Sequence, residues 1–354
     1  MRVGRDEMPS VKTALVVLGM HRSGTSALSG TLIRLFGGAP RTLMAADAGN
    51  ELGYFESELI AALNDRVLAL AGCRWDEWRT VRLDGVDRLA LCALEHEAGE
   101  LIAAEYDAGG PIVLKDPRIC RIFPFWQRVL ENSGYEVRVL MPLRSPLEVA
   151  ASLTARDGFS RSKGLLLWLR HVLEAERDSR ARPRTLLRWT DFLADWRTCL
   201  ERAMCETGLE WSPPPADVAA EIGRFLQPRL HHHASPPQAA DAIVGGWITI
   251  CGQALDELLG DPQAAAARAR LDALRGELDA ASVLFEAMLA EADQRVGEAQ
   301  QQAQAARAAQ AAAEATLELV TRSTIWRATG PLRAVLHGLP RLRGLVRRDL
   351  RGRR

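Results

Sequence analysis

Lysine is scarce in this chain: of 45 basic side chains, only those at positions 12, 115 and 163 are lysines. The formal net charge is zero, so no overall attraction to nucleic acid is expected. The six cysteines form no C-x-x-C pair, which argues against a disulfide framework or a zinc site and predicts thiols in a reducing compartment. The first ten residues lack the apolar core of a signal peptide, and no apolar run is long enough to span a bilayer. We therefore expect a cytoplasmic protein.

Four short apolar segments separated by helical stretches predict an α/β fold with a doubly wound parallel sheet. These segments are residues 13–18, 111–116, 136–143 and 185–189. The first ends in a glycine-containing turn and suits a parallel strand buried on both faces. We expect a flexible N-terminus over residues 1–12 and one α/β domain over residues 13–260.

A long helix is predicted over residues 262–322, because no proline occurs from 263 to 320. Apolar and small residues recur there in alternating three- and four-residue steps, with one stutter between two registers. This pattern favours a thin, Ala/Gln-rich coiled coil and hence a homodimer; a solitary helix is the alternative. The seam residues are Leu271, Leu274, Leu278, Ala281, Phe285, Met288, Ala292, Val296, Ala299, Ala303, Ala306, Gln310, Ala313, Leu317 and Val320.

The last segment, residues 323–354, is basic and contains interleaved leucines. Nine arginines and a single acidic residue, Asp349, lie in it. This composition suits peripheral contact with the anionic inner face of a membrane, and a solvated disordered end is the alternative.

The segment LGMHRSGTSAL, at residues 18–28, comes close to the nucleotide-binding P-loop, which reads Gly, any four residues, Gly, Lys and Ser or Thr. Gly19 and Gly24 have this spacing and Ser26 is in place, but Thr25 stands where the lysine is required. That lysine neutralises the β- and γ-phosphates of ATP, so its loss argues against triphosphate chemistry.

The other anion-binding parts of the loop remain: a turn, a helix N-terminus and the hydroxyls of Ser23, Thr25 and Ser26. The hexapeptide HRSGTS resembles the 5′-phosphosulfate loop of PAPS-dependent sulfotransferases, whose usual form is P-K-x-G-T-T/S. Arg22 occupies the position of that family's lysine. PAPS is 3′-phosphoadenosine 5′-phosphosulfate, and the resemblance implies a P-loop-type α/β fold, PAPS as the co-substrate and no metal.

A second match lies in LRSPLEVAASL, residues 143–153. The family's 3′-phosphate motif places an arginine at the end of a strand and a serine eight residues on, as Arg144 and Ser152 are placed. Ser145 is expected to cap the next helix, with Glu148 completing a capping box. The resemblance implies that Arg144 and Ser152 bind the 3′-phosphate. A plain surface ion pair of Arg144 is the alternative.

The third match is the sequence K-D-P-R after a strand, often found in bacterial sulfotransferase-like proteins. It places Lys115, Asp116 and Arg118 at the ligand crevice of the sheet. A lysine kept among so many arginines hints at a task for a compact charge. An ion pair between Lys115 and Asp116 at the strand end is the alternative.

The catalytic base stays open among three carboxylates: Glu56, Glu51 and Asp116. Residues 49–68 are similar to a segment of the same bacterial group, and in carbohydrate-modifying relatives a glutamate there accepts the proton of the acceptor hydroxyl. Glu56 follows an aromatic pair that would desolvate it and raise its pKa. Cytosolic members of the sulfotransferase family use a histidine near the K-D-P-R position as the base, whereas this chain has Asp116 there.

These resemblances imply a sulfotransferase that moves the sulfuryl group of PAPS to a hydroxyl of a small-molecule or glycan acceptor. The segment STIWRATGPLR, residues 323–333, resembles a tail element often found after coiled coils in bacterial surface-polysaccharide enzymes. This resemblance implies a surface glycan or glycolipid precursor that is modified at the inner membrane face. Glu56, Arg22 and Lys115 are the expected catalytic residues. There are two alternatives. One is a P-loop kinase that uses ATP and magnesium. The other is a non-catalytic scaffold, carried on a coiled coil, that binds PAP (3′-phosphoadenosine 5′-phosphate, the product left when PAPS loses its sulfuryl group).

Overall fold

The computed structural model describes residues 12–46, 53–107, 110–226 and 242–331. A parallel sheet of four strands, in the order β2-β1-β3-β4, lies at the centre of this part of the chain. The predicted α/β class with a parallel sheet is confirmed, and each strand lies close to its predicted segment. The strands are β1 (Lys12–Val17), β2 (Ile112–Lys115), β3 (Tyr135–Leu143) and β4 (Arg184–Arg188).

The strand order determines where a ligand can bind. The chain moves from β1 to β2 on one side and then to β3 on the other, which makes the carboxyl end of β1 a topological switch point. At that end Val17 pairs with both Lys115 of β2 and Leu140 of β3. The loops that follow β1, β2 and β3 therefore leave the sheet side by side.

Twelve helices connect and extend the strands within the described ranges. The first nine are α1 (Thr25–Phe36), α2 (Glu58–Leu70), α3 (Arg88–Glu105), α4 (Ile119–Asn132), α5 (Pro146–Asp157), α6 (Arg161–Ser179), α7 (Trp189–Ala194), α8 (Trp196–Thr207) and α9 (Ala216–Phe225). The last three are α10 (Ala242–Gly260), α11 (Ala265–Arg322) and α12 (Thr324–Ala328).

A hydrophobic core on one face of the sheet fixes the helix that follows the predicted loop. Leu15 and Val17 of β1 pack with Leu28 and Leu32 of α1 and with side chains of α8 and α9. All four residues are buried, and burying one such leucine stabilises the fold by about 1.5–3 kcal/mol. This packing anchors the first turn of α1 and therefore the loop before it.

The chain divides into two units, Met1–Leu284 and Phe285–Arg354. Helix α11 begins in the first unit, where its residues Leu271, Leu274 and Leu278 are buried. These three expected seam positions are therefore core positions of the first unit and are not available to a helix of another copy. In the second unit, Val296 and Leu317 are exposed within α11. A coiled coil over residues 262–322 stays a prediction.

Some predicted features lie outside the described residues. These are Glu51, residues 1–11, the tail from residue 332, and the side chains of Met288 and Ala292. Among the described helices, none is both long enough and apolar enough to cross a membrane.

Candidate active site

The loop between β1 and α1 has the geometry of an anion-binding turn. Arg22 and Gly24 both have positive φ angles, 68° and 86°, and Gly24 is the N-cap of α1. Such a turn directs backbone N–H groups and the positive end of the helix dipole toward one point. The hydroxyl of Ser23 is buried and has no hydrogen-bond partner among the described residues. A buried hydroxyl without a partner is costly, and a bound anion would satisfy it.

Gly24 is required by its neighbour as well as by its backbone angle. A Cβ atom at this position would lie 2.6 Å from Cζ3 and 2.9 Å from Cδ2 of Trp189, the first residue of α7. Trp189 is buried, and its indole Nε1 has no partner in the described part of the chain. The guanidinium of Arg144 lies over the same ring, 5.8 Å from its centroid. Trp189 therefore lies next to both Gly24 of the loop and Arg144.

The structure brings the two predicted nucleotide motifs together. Nε of Arg22 donates a hydrogen bond of 2.7 Å to Oγ of Ser152, and Nη1 of Arg144 donates one of 3.1 Å to the backbone oxygen of Arg22. This contact follows from the strand order, because β3 and α5 leave the sheet next to the end of β1. The two predicted motifs are therefore in direct contact.

The predicted capping box is wrong. Ser145 is the N-cap of α5, but its side chain caps no backbone N–H. Glu148 instead accepts a 2.8 Å hydrogen bond from Nε of Arg144. Arg144 therefore does form an ion pair, as the alternative from the sequence expected, but its side chain is only 9% exposed and also contacts the loop.

Lys115, at the end of β2, forms a buried ion pair with Glu56. Both side chains are almost completely buried, with 2% and 3% of their surface exposed. Nζ of Lys115 also donates to Oγ of Ser26 at 3.3 Å and to the backbone oxygen of Tyr54 at 3.1 Å. The ammonium thus links the loop hydroxyl that would hold magnesium in an ATPase with the carboxylate expected to act as the base.

Burial changes the proton affinities of the charged groups at the site. Burial raises the pKa of Glu56, and Asp116 adds to the increase, while Lys115 opposes it. Burial likewise lowers the pKa of the Arg22 guanidinium, with Arg156 and Arg144 contributing. A raised carboxyl pKa brings Glu56 closer to the range in which it exchanges a proton with a hydroxyl at neutral pH.

Asp116 is not the partner of Lys115, contrary to the alternative considered from the sequence. Its carboxylate accepts hydrogen bonds from the backbone N–H of Arg118 at 2.8 Å and from Nη1 of Arg118 at 3.0 Å. Nε of Arg118 also binds Asp65 at 2.6 Å. Asp116 is thus held in a local turn, and Glu56 is the carboxylate that contacts Lys115.

Two residues near the loop were not among the predicted site residues. His21 precedes Arg22, and its Nε2 is buried without a partner in the described residues. Trp189 lies against Gly24 with the same kind of unpartnered nitrogen. His21 begins the hexapeptide HRSGTS, but its unpartnered nitrogen and the packing of Trp189 on Gly24 are seen only in the three-dimensional structure. Within the described ranges, no group of three or more His, Cys, Asp or Glu side chains is placed to hold a metal ion.

No family model matches the chain, and no curated protein matches it. Similar solved structures include the sulfotransferase domain of the Synechococcus PCC 7002 olefin synthase, with 14% identity, coverage of 68% of this chain and 95% of that chain, and a TM-score of 0.38. The sulfotransferase domain from the curacin biosynthetic pathway has 12% identity, coverage of 67% and 96%, and a TM-score of 0.38. Sulfotransferase STF1 from Mycobacterium tuberculosis H37Rv has 13% identity, coverage of 61% and 71%, and a TM-score of 0.33. At such identities and TM-scores, the functional assignment depends on the residues of the site.

Proposed function

We propose that this protein is a sulfotransferase that uses PAPS as the donor and a hydroxyl of a glycan or glycolipid precursor as the acceptor. The observation that carries this proposal is the contact between the two motifs. Arg22 bonds to Ser152 and Arg144 bonds to the backbone of Arg22, so the segments that resemble a 5′-phosphosulfate loop and a 3′-phosphate motif contact each other.

The donor would be held by the loop at one end and by α5 at the other. The backbone and hydroxyls of residues 23–26 would bind the 5′-phosphosulfate, and the unpartnered hydroxyl of Ser23 is the observation that fits an anion there. Arg144 and Ser152 would bind the 3′-phosphate, because a guanidinium and a hydroxyl together supply the donors that a phosphate accepts. Arg22 belongs to the loop and contacts Ser152 of the second motif.

The transfer would proceed by in-line displacement at sulfur. An oxygen–sulfur bond forms from the acceptor hydroxyl, the bond from sulfur to the 5′-phosphate oxygen breaks, and PAP leaves with the bonding electrons. Glu56 would receive the hydroxyl proton, and its raised pKa suits this exchange. Arg22 and Lys115 would stabilise the negative charge that develops on the bridging and sulfuryl oxygens.

Lys115 also supports a reaction that needs no metal. Its ammonium donates to Ser26, the hydroxyl to which magnesium binds in P-loop ATPases, so a fixed protein cation occupies the neighbourhood of that metal. A monovalent cation suits a phosphosulfate better than a triphosphate, because the phosphosulfate carries less charge at its end.

The proposal is tested by incubating the full-length protein with ³⁵S-labelled PAPS and a panel of glycosides and glycolipid precursors. We expect labelled product without added magnesium and none from the Lys115→Met variant. Phosphoryl transfer from ATP with magnesium, in place of sulfuryl transfer, would instead support a kinase. Tight PAP binding without transfer to any acceptor would support a scaffold.

Two contacts outside the site are also proposed. Helix α11 would pair with a second copy through its exposed second-unit positions, among them Val296 and Leu317. The basic segment 323–354 would hold the protein at the inner membrane face. Deletion of residues 323–354 should move the protein from membrane to soluble fractions, and unchanged partitioning would contradict the membrane contact.

A further inference from the structure

Three rings form a cluster beside the loop, and no part of the proposed donor site uses them. The ring cluster consists of His21, Trp75 and Phe159. The ring centroids of His21 and Trp75 lie 4.7 Å apart, and those of Trp75 and Phe159 lie 5.8 Å apart. All three residues are partly exposed, so the cluster presents ring surface next to the loop.

The cluster is connected to the site at two points. His21 directly precedes Arg22 in the loop, and Phe159 follows α5, the helix whose Ser152 accepts the hydrogen bond from Arg22. The guanidinium of Arg156, on the same helix, lies over the ring of Trp75, 5.9 Å from its centroid. A molecule that rests on the cluster would therefore lie next to the loop and to α5.

The cations around the cluster have carboxylate partners. Arg156 pairs with Asp157 at 2.9 Å, and Lys163, whose ammonium lies over Phe159, pairs with Asp76 at 2.9 Å. Because these charges are matched locally, the cluster does not require an anionic ligand. Partly exposed rings whose neighbouring charges are already paired suit a neutral molecule with an apolar face.

One polar atom in the cluster points to the kind of group that such a molecule carries. Nε2 of His21 is buried and has no partner in the described residues. Burial, with Arg156 and Arg118, lowers the pKa of this histidine well below its usual value, so the imidazole is neutral. In the neutral tautomer that carries its proton on Nδ1, Nε2 accepts a hydrogen bond, and a hydroxyl is a small donor that matches it.

We propose that the ring cluster is the acceptor subsite, where a pyranose ring packs against Trp75 and Phe159 and a hydroxyl next to the reacting one donates a hydrogen bond to Nε2 of His21. The electron-poor C–H face of a sugar packs favourably on the electron-rich face of an aromatic ring. This inference rests on the proposed sulfuryl transfer and adds to it the place where the acceptor binds and the residue that selects the hydroxyl. His21 would thus determine which position of the ring is sulfated.

Binding is measured first, independently of transfer. The full-length protein is saturated with PAP and examined by saturation-transfer difference NMR with methyl pyranosides, with glucitol as an acyclic polyol and with 4-methylphenol. We expect signals from the pyranoside ring protons and none from glucitol. Signals from 4-methylphenol but not from the pyranosides, or equal signals from glucitol, would overturn the proposal.

Variants then separate positioning from folding. Trp75→Ala should raise the acceptor KM about tenfold, because it removes the largest ring of the cluster. His21→Leu should raise that KM roughly three- to tenfold and mix the positions of sulfation, because one neutral hydrogen bond is lost. His21→Gln, which restores an amide acceptor, should recover much of the selectivity. Trp247→Ala, on α10, is the matched control and should change neither the acceptor KM nor the positions of sulfation.

PAP affinity, measured for every variant, keeps this proposal separate from the proposed function. If the unmodified protein does not bind PAP, the proposed function fails. If PAP binds within about twofold of its normal affinity in all variants and the acceptor KM and the sulfation pattern do not change, the acceptor subsite is wrong and the donor site stands.

Discussion

Replacement of Lys115 by methionine tests the buried ion pair on which the proposed chemistry depends. The substitution keeps an unbranched side chain but leaves the Glu56 carboxylate, 3% exposed, without its cation. Removal of one partner from a buried pair costs about 3–5 kcal/mol, because an uncompensated charge remains. For a unit of this size we expect the Tm to fall by roughly 6–20 °C.

The pH dependence of this loss identifies its cause. Burial already raises the pKa of Glu56 above its unfolded value, and removal of the ammonium raises it further. A carboxyl group of this kind stabilises the fold fully below its unfolded pKa, and the contribution disappears as the pH rises through the folded pKa. The difference in unfolding free energy between the wild type and Lys115→Met should therefore be smaller at pH 5 than at pH 8.

Urea unfolding at both pH values, with two further variants, makes this prediction refutable. The double variant Lys115→Met/Glu56→Leu should recover most of the stability, since both charges are gone. Lys163→Met is the matched control: its ion pair with Asp76 is partly exposed, so the loss should stay below about 1 kcal/mol. Equal losses of unfolding free energy at pH 5 and pH 8 would contradict the unpaired Glu56 carboxylate as the cause. A double variant no more stable than Lys115→Met would contradict it as well.

Three further predictions concern nucleotide binding and the base. In calorimetry, Arg144→Gln should weaken PAP binding by about 1.5–3 kcal/mol but leave the binding of AMP, which has no 3′-phosphate, unchanged. Ser152→Ala should weaken PAP binding by less and also leave AMP binding unchanged. Equal losses for both nucleotides would contradict the 3′-phosphate role. Gly24→Ala should abolish PAP binding in a thermal-shift assay, because its φ is 86° and its Cβ would overlap Trp189; normal binding would refute the loop geometry. The plot of kcat/KM against pH should decrease on the acidic side with an apparent pKa above 4.5. Glu56→Gln should lower kcat by about 10²–10⁴-fold and remove this acidic decrease. An unchanged acidic decrease would mean that another residue is the base.

The sequence predicted those parts of the site that depend on local pattern. Apolar runs located the strands, and the glycine spacing located the turn of residues 19–26. Arg144 and Ser152 could be matched because strand, helix cap and helix follow one another within eleven residues. Their contact with the loop, however, requires β3 to lie beside β1, which no local pattern determines.

Other contacts could not be read from local sequence. Consecutive residues at a strand end project to opposite sides, so Lys115 and Asp116 are poor partners despite their adjacency. Glu56 contacts Lys115 only because a segment 59 residues away in sequence folds over the strand end. Leu271, Leu274 and Leu278 repeat like a coiled-coil seam, but the same repeat serves a helix packed on its own domain.

Comparison of PAP and ADP in isothermal titration calorimetry tests the central claim most directly. If residues 19–26 bind a 5′-phosphate and Arg144 with Ser152 binds a 3′-phosphate, PAP should bind in the presence of EDTA, and excess magnesium should not strengthen its binding. ADP, which lacks the 3′-phosphate, should bind at least tenfold more weakly in either condition. Tight binding of ADP that requires magnesium, with no preference for PAP, would contradict this account.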